Sequence, residues 1–167
     1  SGLEQAVLVT TDRAMIDRVE AAFQRQKATL PKLATVERVE ARGIFLIHVA
    51  DLEQAARVAS AYAPEHLEIQ TANPEAVAAK ITAAGAIFLG AWTPESIGDF
   101  CAGPSHVLPT ASSAHYFNGL ETVSFFRRTS LVKYDEAALR REAGIVECFG
   151  EMESLAAHGR AGTIRVK

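Results

Sequence analysis

The sequence predicts an α/β fold: a partial Rossmann-like, mostly parallel sheet flanked by helices, with a small carboxy-terminal helical and extended appendage. Short, β-branched apolar runs alternate with stretches of helical periodicity over the first 90 residues. This alternation favours a parallel sheet, because parallel neighbours must be joined by a crossover that is usually a helix. Apolar residues make up 49% of the 167 residues, which is enough to bury a core.

The first two predicted strands enclose one predicted helix. Residues 6–10 are β-branched and apolar, which is typical of a buried strand. Asp12 is suited to cap a helix over residues 13–26, where apolar residues recur at helical spacing, and Pro31 lies beyond the end of that helix. A second apolar run, residues 43–49, begins with a glycine and predicts the second strand.

Two further strands follow with helices between them. Asp51 is suited to cap a helix over residues 52–62, and the alternating residues 67–71 predict a third strand. Residues 73–83 predict a helix that has a proline near its first helical position, where proline is well tolerated. The apolar residues 86–90 predict the fourth strand.

The amino-acid composition of the chain changes after the fourth predicted strand. Residues 91–120 are rich in proline, glycine and small polar residues, and a loop of this length in a compact domain is usually functional. We therefore divide the chain into an α/β region, residues 1–120, and a small tail domain, residues 121–167. The tail is too thin to build its own core and must pack on another surface, such as a partner subunit. Its predicted elements are an extended stretch (122–132), a charged helix (135–143), a short helix (151–158) and a terminal strand (163–166).

Composition argues against several classes of function. The net charge of −3 shows no basic excess for nucleic-acid binding, and no apolar stretch is long enough to span a membrane. The start of the chain lacks a signal-peptide core, so we expect a cytoplasmic protein in which Cys101 and Cys148 are reduced thiols. No glycine-rich phosphate loop follows a strand, so most of any dinucleotide site must lie outside this chain.

Two segments of the first 120 residues bring together side chains that are able to exchange protons or bind a metal. Glu65 and His66 adjoin at the start of the third strand, where both side chains are able to exchange protons. The alternative is a buried histidine beside an exposed glutamate. Asp99 and His106 lie in the glycine- and proline-rich loop, and carboxylate and imidazole are usual ligands of a catalytic zinc. The alternative there is a structural loop in which Asp99 holds backbone amides.

A third polar place lies near the carboxyl end. Glu153 and His158 are five residues apart, which is not the ideal spacing for sharing one helix face. The alternative is a surface helix end with His158 near its carboxyl dipole. His48, within an apolar strand, and His115, in a polar loop, are interpreted as structural or incidental.

Four segments, taken in order, strongly resemble the histidinol dehydrogenase family. They are YAPEHLEI, AGAIFLG followed by TPE, GDFCAGPSHVLPT, and the late ESLAAH. The resemblance extends from about Ala6 to Val166, and the GDFCAGPSHVLPT loop is its most specific part. It implies a zinc-dependent homodimer that oxidises L-histidinol to L-histidine through the aldehyde in two NAD-dependent steps.

The resemblance also implies metal and catalytic roles for four residues. Asp99 corresponds to a zinc ligand, and His158 to a second zinc ligand that reaches the metal from the other subunit of the homodimer. His66 corresponds to the general base that takes the alcohol proton. Glu65 corresponds to the carboxylate that activates water at the aldehyde stage.

Three more residues are implied to contact the substrate. His106 and Glu153 correspond to substrate-binding residues, with Glu153 acting across the dimer. Phe100 stands where a tyrosine is common in the family, so the hydroxyl that such a tyrosine offers to substrate is lost. This departure bears on which substrate the enzyme takes.

The family chain is much longer than this one. The part without a counterpart here holds a nucleotide-binding domain, together with a glutamine and a histidine that ligate the zinc. We therefore predict a carboxy-terminal fragment of the enzyme, from which most of the NAD site is missing. The fragment alone is expected to be inactive, and to be metal-free or nearly so when purified.

Other hypotheses remain open at this point. One is a relative that oxidises another small amino alcohol, for which Phe100 is the support. Another is a non-catalytic, standalone α/β oligomerisation module. A flavodoxin-like binding domain is disfavoured, because no phosphate loop follows the first strand.

Overall fold

The chain forms short parallel strands and helices in two compact units. The computed structural model describes residues 3–31 and 33–166. The first unit runs to Phe125 and the second begins at Phe126. The predicted division lay at residues 120 and 121, and the exchange of a tail between subunits remains a prediction.

One pair of strands begins the first unit. Strand β1 (Ala6–Thr10) pairs in parallel with β2 (Ile44–His48), residue for residue along their full lengths. Helix α1 (Arg13–Lys27) follows β1 and begins as predicted at Asp12, whose side chain accepts a hydrogen bond from the amide of Ala14. A second helix, α2 (Leu33–Arg42), lies before β2 and was not predicted.

A second pair of strands carries the part of the fold that matters for function. Strand β3 (His66–Ile69) pairs in parallel with β4 (Ala86–Leu89). Helix α3 (Leu52–Tyr62) precedes β3 and begins as predicted after Asp51, which accepts from the amide of Gln54. Helix α4 (Pro74–Ala78) joins the two strands and is shorter than the predicted helix over residues 73–83. The prediction of an α/β fold with parallel strands is thus confirmed, with the strands arranged as two two-stranded sheets among the described residues.

The core of the first unit is assembled from small and medium apolar side chains of these elements. The buried apolar residues there include Ile16, Val49, Ala56, Ala63, Ile69, Val77, Ala83 and Phe88. The segment predicted as a long loop, residues 91–120, contains a six-residue helix, α5 (Glu95–Phe100), close to β4. Among the described residues, no helix combines the length and the apolar character needed to cross a membrane.

The second unit contains two helices that pack against each other at a pair of glycines. Helix α6 (Glu136–Met152) is capped by Asp135, and α7 (Ala156–Thr163) returns against it. A Cβ atom on Gly150 would lie 2.8 Å from the backbone nitrogen of Gly159, so the two backbones approach more closely than side chains would allow.

Several predictions for the tail were wrong. The charged helix predicted over residues 135–143 continues to Met152, and the predicted helix over 151–158 is displaced to α7. The predicted terminal strand, 163–166, is absent, because Thr163 ends α7 and the described residues of this unit offer no neighbouring strand with which to pair. The stretch 122–132, predicted as extended, begins with a 3₁₀ turn at Thr122–Phe125.

Candidate functional site

The site is built on one face of the sheet formed by β3 and β4. His66 and Glu68 are two residues apart on β3, so their side chains share a face. Phe88, the register partner of Glu68 on β4, belongs to the same face. The His66 and Phe88 rings lie 6.0 Å apart and are tilted by 36°. Phe88 is buried.

Helix α5 lies against this face at Gly98, which lets the helix approach Phe88. A Cβ atom at Gly98 would lie 2.6 Å from Cε1 of the Phe88 ring, a distance that no real side chain tolerates. Glu95 and Asp99 are four residues apart on α5 and therefore share a helix face. The close contact of Gly98 with Phe88 thus places both carboxylates beside His66.

The three side chains converge on one point. Nε2 of His66 lies 3.5 Å from Oε1 of Glu95 and 3.7 Å from Oδ1 of Asp99. One donor atom from each residue lies within 4.8 Å of the others. Nε2 of His66 is buried and has no hydrogen-bond partner among the described residues. A buried nitrogen facing two carboxylates without a hydrogen bond is a place suited to a cation.

The donor set fits zinc. Zinc is bound by imidazole nitrogen and carboxylate oxygen at about 2.0–2.2 Å, so neighbouring ligand atoms of a tetrahedral site lie roughly 3.4 Å apart. The two distances from His66 Nε2, 3.5 and 3.7 Å, are close to that spacing. The His66 and Asp99 side chains are only about a quarter exposed, which leaves an opening for a further ligand.

The electrostatics of this cluster act most strongly on Glu95. Its pKa is raised, first by burial, then by a hydrogen bond with the Asp99 carboxyl and by the negative charge of Asp99. His66 acts in the opposite direction and partly offsets the increase. Without a cation, burial and the negative charge of Asp99 make ionisation of Glu95 less favourable than in water.

This raised pKa predicts a pH-dependent effect of Glu95→Gln on the metal-free chain. Because the folded-state pKa lies above the unfolded one, ionisation of Glu95 lowers the stability as the pH rises through the folded-state value. The glutamine variant should therefore be more stable than the parent at pH 7. The difference should shrink below about pH 4, where glutamate is also protonated in the unfolded chain.

Urea unfolding of both proteins in the presence of a chelator, at several pH values, measures this difference. Glu20→Gln, on the exposed surface of α1, is the matched control and should show no such trend. A stability difference between the Glu95 variant and the parent that stays constant with pH would contradict the prediction.

The other predicted residues of the first unit lie outside this cluster. The Glu65 carbonyl accepts a hydrogen bond from the amide of Ala86 at 2.9 Å, which fixes the start of β3 immediately before His66. Phe100, at the end of α5, is 81% exposed, and His106 is also exposed. Neither Glu65 nor His106 belongs to the donor cluster found among the described residues.

The two predicted residues of the second unit lie together. Glu153 ends α6 and His158 lies in α7. Both line a depression of about 290 Å³ whose other walls are mostly apolar, formed by Ile145, Val146, Phe149, Gly150 and Leu155. The sharing of one zinc by Asp99 and His158 remains a prediction, since the two residues belong to different units.

Glu95 was missed as a site residue. It stands in the TPE segment that contributes to the family resemblance, but no role was assigned to it. Its spacing of four residues from Asp99 was the available signal. That signal requires a helix within residues 91–120, and the glycine and proline content of this region had predicted a loop.

Comparison with known proteins places the chain in a family. The family model described as histidinol dehydrogenase matches residues 2–166. The chain belongs to the histidinol dehydrogenase family. The resemblance inferred from the four sequence segments is thereby confirmed.

Individual histidinol dehydrogenases agree with this assignment. The chain is 42% identical to the enzyme of Dechloromonas aromatica over 165 residues, covering 99% of this chain and 38% of that protein. It is 44% identical to the enzyme of Nocardia farcinica over 164 residues, covering 98% of this chain and 37% of that protein. The crystal structure of histidinol dehydrogenase from Elizabethkingia anophelis superposes with a TM-score of 0.76 at 29% identity, covering 97% of this chain and 37% of that chain. The chain thus spans less than two fifths of the length of these relatives.

Proposed function

We propose that this chain is a portion of a longer, cytoplasmic, zinc- and NAD-dependent histidinol dehydrogenase that oxidises L-histidinol to L-histidine through the aldehyde. The observation that carries the proposal is the convergence of His66, Glu95 and Asp99, in a chain of this family, on one position suited to a cation. The chain alone is proposed to be inactive, since it spans 38% of the length of a relative such as the Dechloromonas enzyme.

Asp99 is the residue proposed to hold the zinc, together with ligands from outside this unit. When bound, zinc supplies a Lewis acid that polarises a substrate oxygen and a fixed point that orients the substrate. Glu95 lies close enough to take part in the same donor set. Only the backbone amide of Glu95 donates to Glu68, so this hydrogen bond does not occupy the Glu95 carboxylate.

His66 is the proposed general base. In the proposed enzyme its Nε2 borders the metal position without ligating the metal, and it has no hydrogen-bond partner among the described residues, so it is available to receive the alcohol proton. The buried Phe88 ring lies beside the imidazole, with 6.0 Å between the ring centroids. Glu65 is proposed to activate water at the aldehyde stage, and NAD, when bound, would supply the hydride acceptor.

Residues outside the cluster are proposed to complete the substrate site. His106 and Phe100 are exposed, as expected for side chains that contact a substrate held between this unit and other parts of the enzyme. His158 and Glu153 are proposed to be supplied across a homodimer by the exchanged tail. No residue of this chain is assigned to NAD, because the sequence has no glycine-rich phosphate loop.

Turnover by a longer protein that contains this chain tests the proposal. With L-histidinol and excess NAD⁺, we expect two NADH for each L-histidinol, because oxidation of an alcohol to an acid removes two hydrides. Asp99→Asn should lower kcat/KM by at least about 100-fold, since even loss of an outer-shell partner of a zinc ligand costs 10- to 100-fold. Zinc content measured on the same preparations should fall in parallel.

Asp17→Asn is the matched control, because Asp17 is a well-exposed aspartate on α1. It should leave both zinc content and turnover unchanged. Turnover of another amino alcohol but not of L-histidinol would favour the relative suggested by Phe100. Absence of NADH formation with any of these alcohols would contradict a catalytic role.

A further inference from the structure

Helix α5 begins at a residue that cannot cap it. Its N-cap is Pro94, which makes no side-chain capping hydrogen bond. The first amides of any helix lack partners within the helix, and serine, threonine, aspartate or asparagine usually supplies one from the N-cap position. In α5 that partner must come from elsewhere in the fold.

The partner is the side chain of Glu68, on β3. Its Oε1 accepts a hydrogen bond from the backbone amide of Glu95, the first residue of α5, at 2.9 Å. Its Oε2 accepts from Nε2 of Gln70 at 2.8 Å, which holds the carboxylate in orientation. A carboxylate that accepts from a helix-terminal amide makes a charge-assisted hydrogen bond, stronger than a neutral one.

This hydrogen bond joins the two elements that carry the proposed catalytic groups. Glu68 shares its strand and its face with His66, whereas Glu95 and Asp99 belong to α5. The contact of Gly98 with Phe88 fixes α5 at a second point, one turn further along. Together the two contacts restrict the position of the helix and its rotation about its own axis.

We propose that Glu68 is a positioning residue that anchors the start of α5 on β3 and so holds Glu95 and Asp99 against His66. The anchoring of α5 by Glu68 follows from contacts within this chain. Its consequence for catalysis rests on the proposed function. Glu68 itself is not assigned any contact with substrate, metal or cofactor.

Amide hydrogen exchange of the chain, measured by NMR, tests the anchoring. In the parent the Glu95 amide should be protected, and Glu68→Ala should speed its exchange about tenfold, the effect of losing one helix cap. Glu68→Gln retains an oxygen acceptor and should restore most of the protection. The His66 ring signals should shift in the alanine variant and return in the glutamine variant, whereas Glu20→Ala should change neither. Unchanged Glu95 exchange in a folded Glu68→Ala protein, or equal loss in the glutamine variant, would overturn the proposal.

Kinetics of the longer protein separate this proposal from the proposed function. Glu68→Ala should lower kcat for L-histidinol about tenfold while the KM for NAD stays the same, and Glu68→Gln should recover most of the rate. If the parent does not oxidise L-histidinol but the exchange result holds, the proposed function fails and the positioning role stands. If the parent is active and Glu68→Ala retains full kcat, the positioning role fails and the proposed function stands.

Discussion

Replacing His66 by asparagine in the longer protein is expected to lower kcat for L-histidinol oxidation by about 10²- to 10⁴-fold, the usual contribution of a positioned general base. The reason is that Nε2 of His66 faces Glu95 and Asp99 without a hydrogen-bond partner among the described residues. Asparagine retains polarity but cannot accept a proton in the working pH range. Steady-state kinetics with saturating NAD⁺ measure the effect.

A second histidine provides the control for this experiment. His48 lies on β2 and is exposed, so His48→Asn should leave kcat unchanged. Thermal unfolding of both variants should show that each is folded. Full activity of the His66 variant would contradict its role as the base.

Replacing Gly98 by alanine is expected to have the second largest effect. The added methyl would lie 2.6 Å from the buried Phe88 ring, so α5 or the ring must move. Overpacking of this kind typically costs about 1–3 kcal/mol of stability. Because displacement of a catalytic group by about 1 Å can lower a rate 100-fold, kcat of the longer protein should fall by a comparable factor.

Gly144→Ala is the matched control for this overpacking. Gly144 lies in α6, where an added Cβ atom meets nothing within 4 Å. Alanine in a helix interior is favoured over glycine by roughly 0.5–1 kcal/mol, so this variant should be as stable as the parent or more so. Urea unfolding measures both effects. A Gly98→Ala protein with unchanged stability and rate would show that the close contact with Phe88 does not position the site.

The parts of the fold that the sequence predicts correctly are those marked by helix-capping residues and short apolar runs. Asp12 and Asp51 cap the helices that follow them, and each of the four strands lies within two residues of its predicted position. Helix α2 was missed, although its Glu40 accepts hydrogen bonds from Gln24 and Lys27 of α1. Those contacts depend on tertiary packing, which the local pattern does not contain.

In the tail, by contrast, a predicted element does not form. The β-branched residues near 163–166 predict a strand, but a strand needs a neighbour to complete its hydrogen bonds. In the structure, Arg140 of α6 donates to the Val166 carbonyl at 2.6 Å, so this end of the chain is held by a helix side chain.

The site was only partly accessible from sequence. His66 and Asp99 were identified singly, from a dipeptide and a loop motif, and the resemblance supplied their roles. His66 and Asp99 come close to one another because Gly98 has no side chain and because β3 and β4 pair in this register. Glu95 and Glu68 were not identified, because one acts through an unpredicted helix and the other caps that helix from a different element.

Zinc titration of the isotope-labelled chain, followed by the NMR signals of its five histidine rings, tests the central claim most directly. Starting from the metal-free chain, we predict that the His66 ring responds at the lowest zinc concentration and that Asp99→Asn abolishes this response. That result would place His66 and Asp99 at one cation position. A response that begins at another histidine, with His66 unaffected or insensitive to Asp99→Asn, would contradict the site described above.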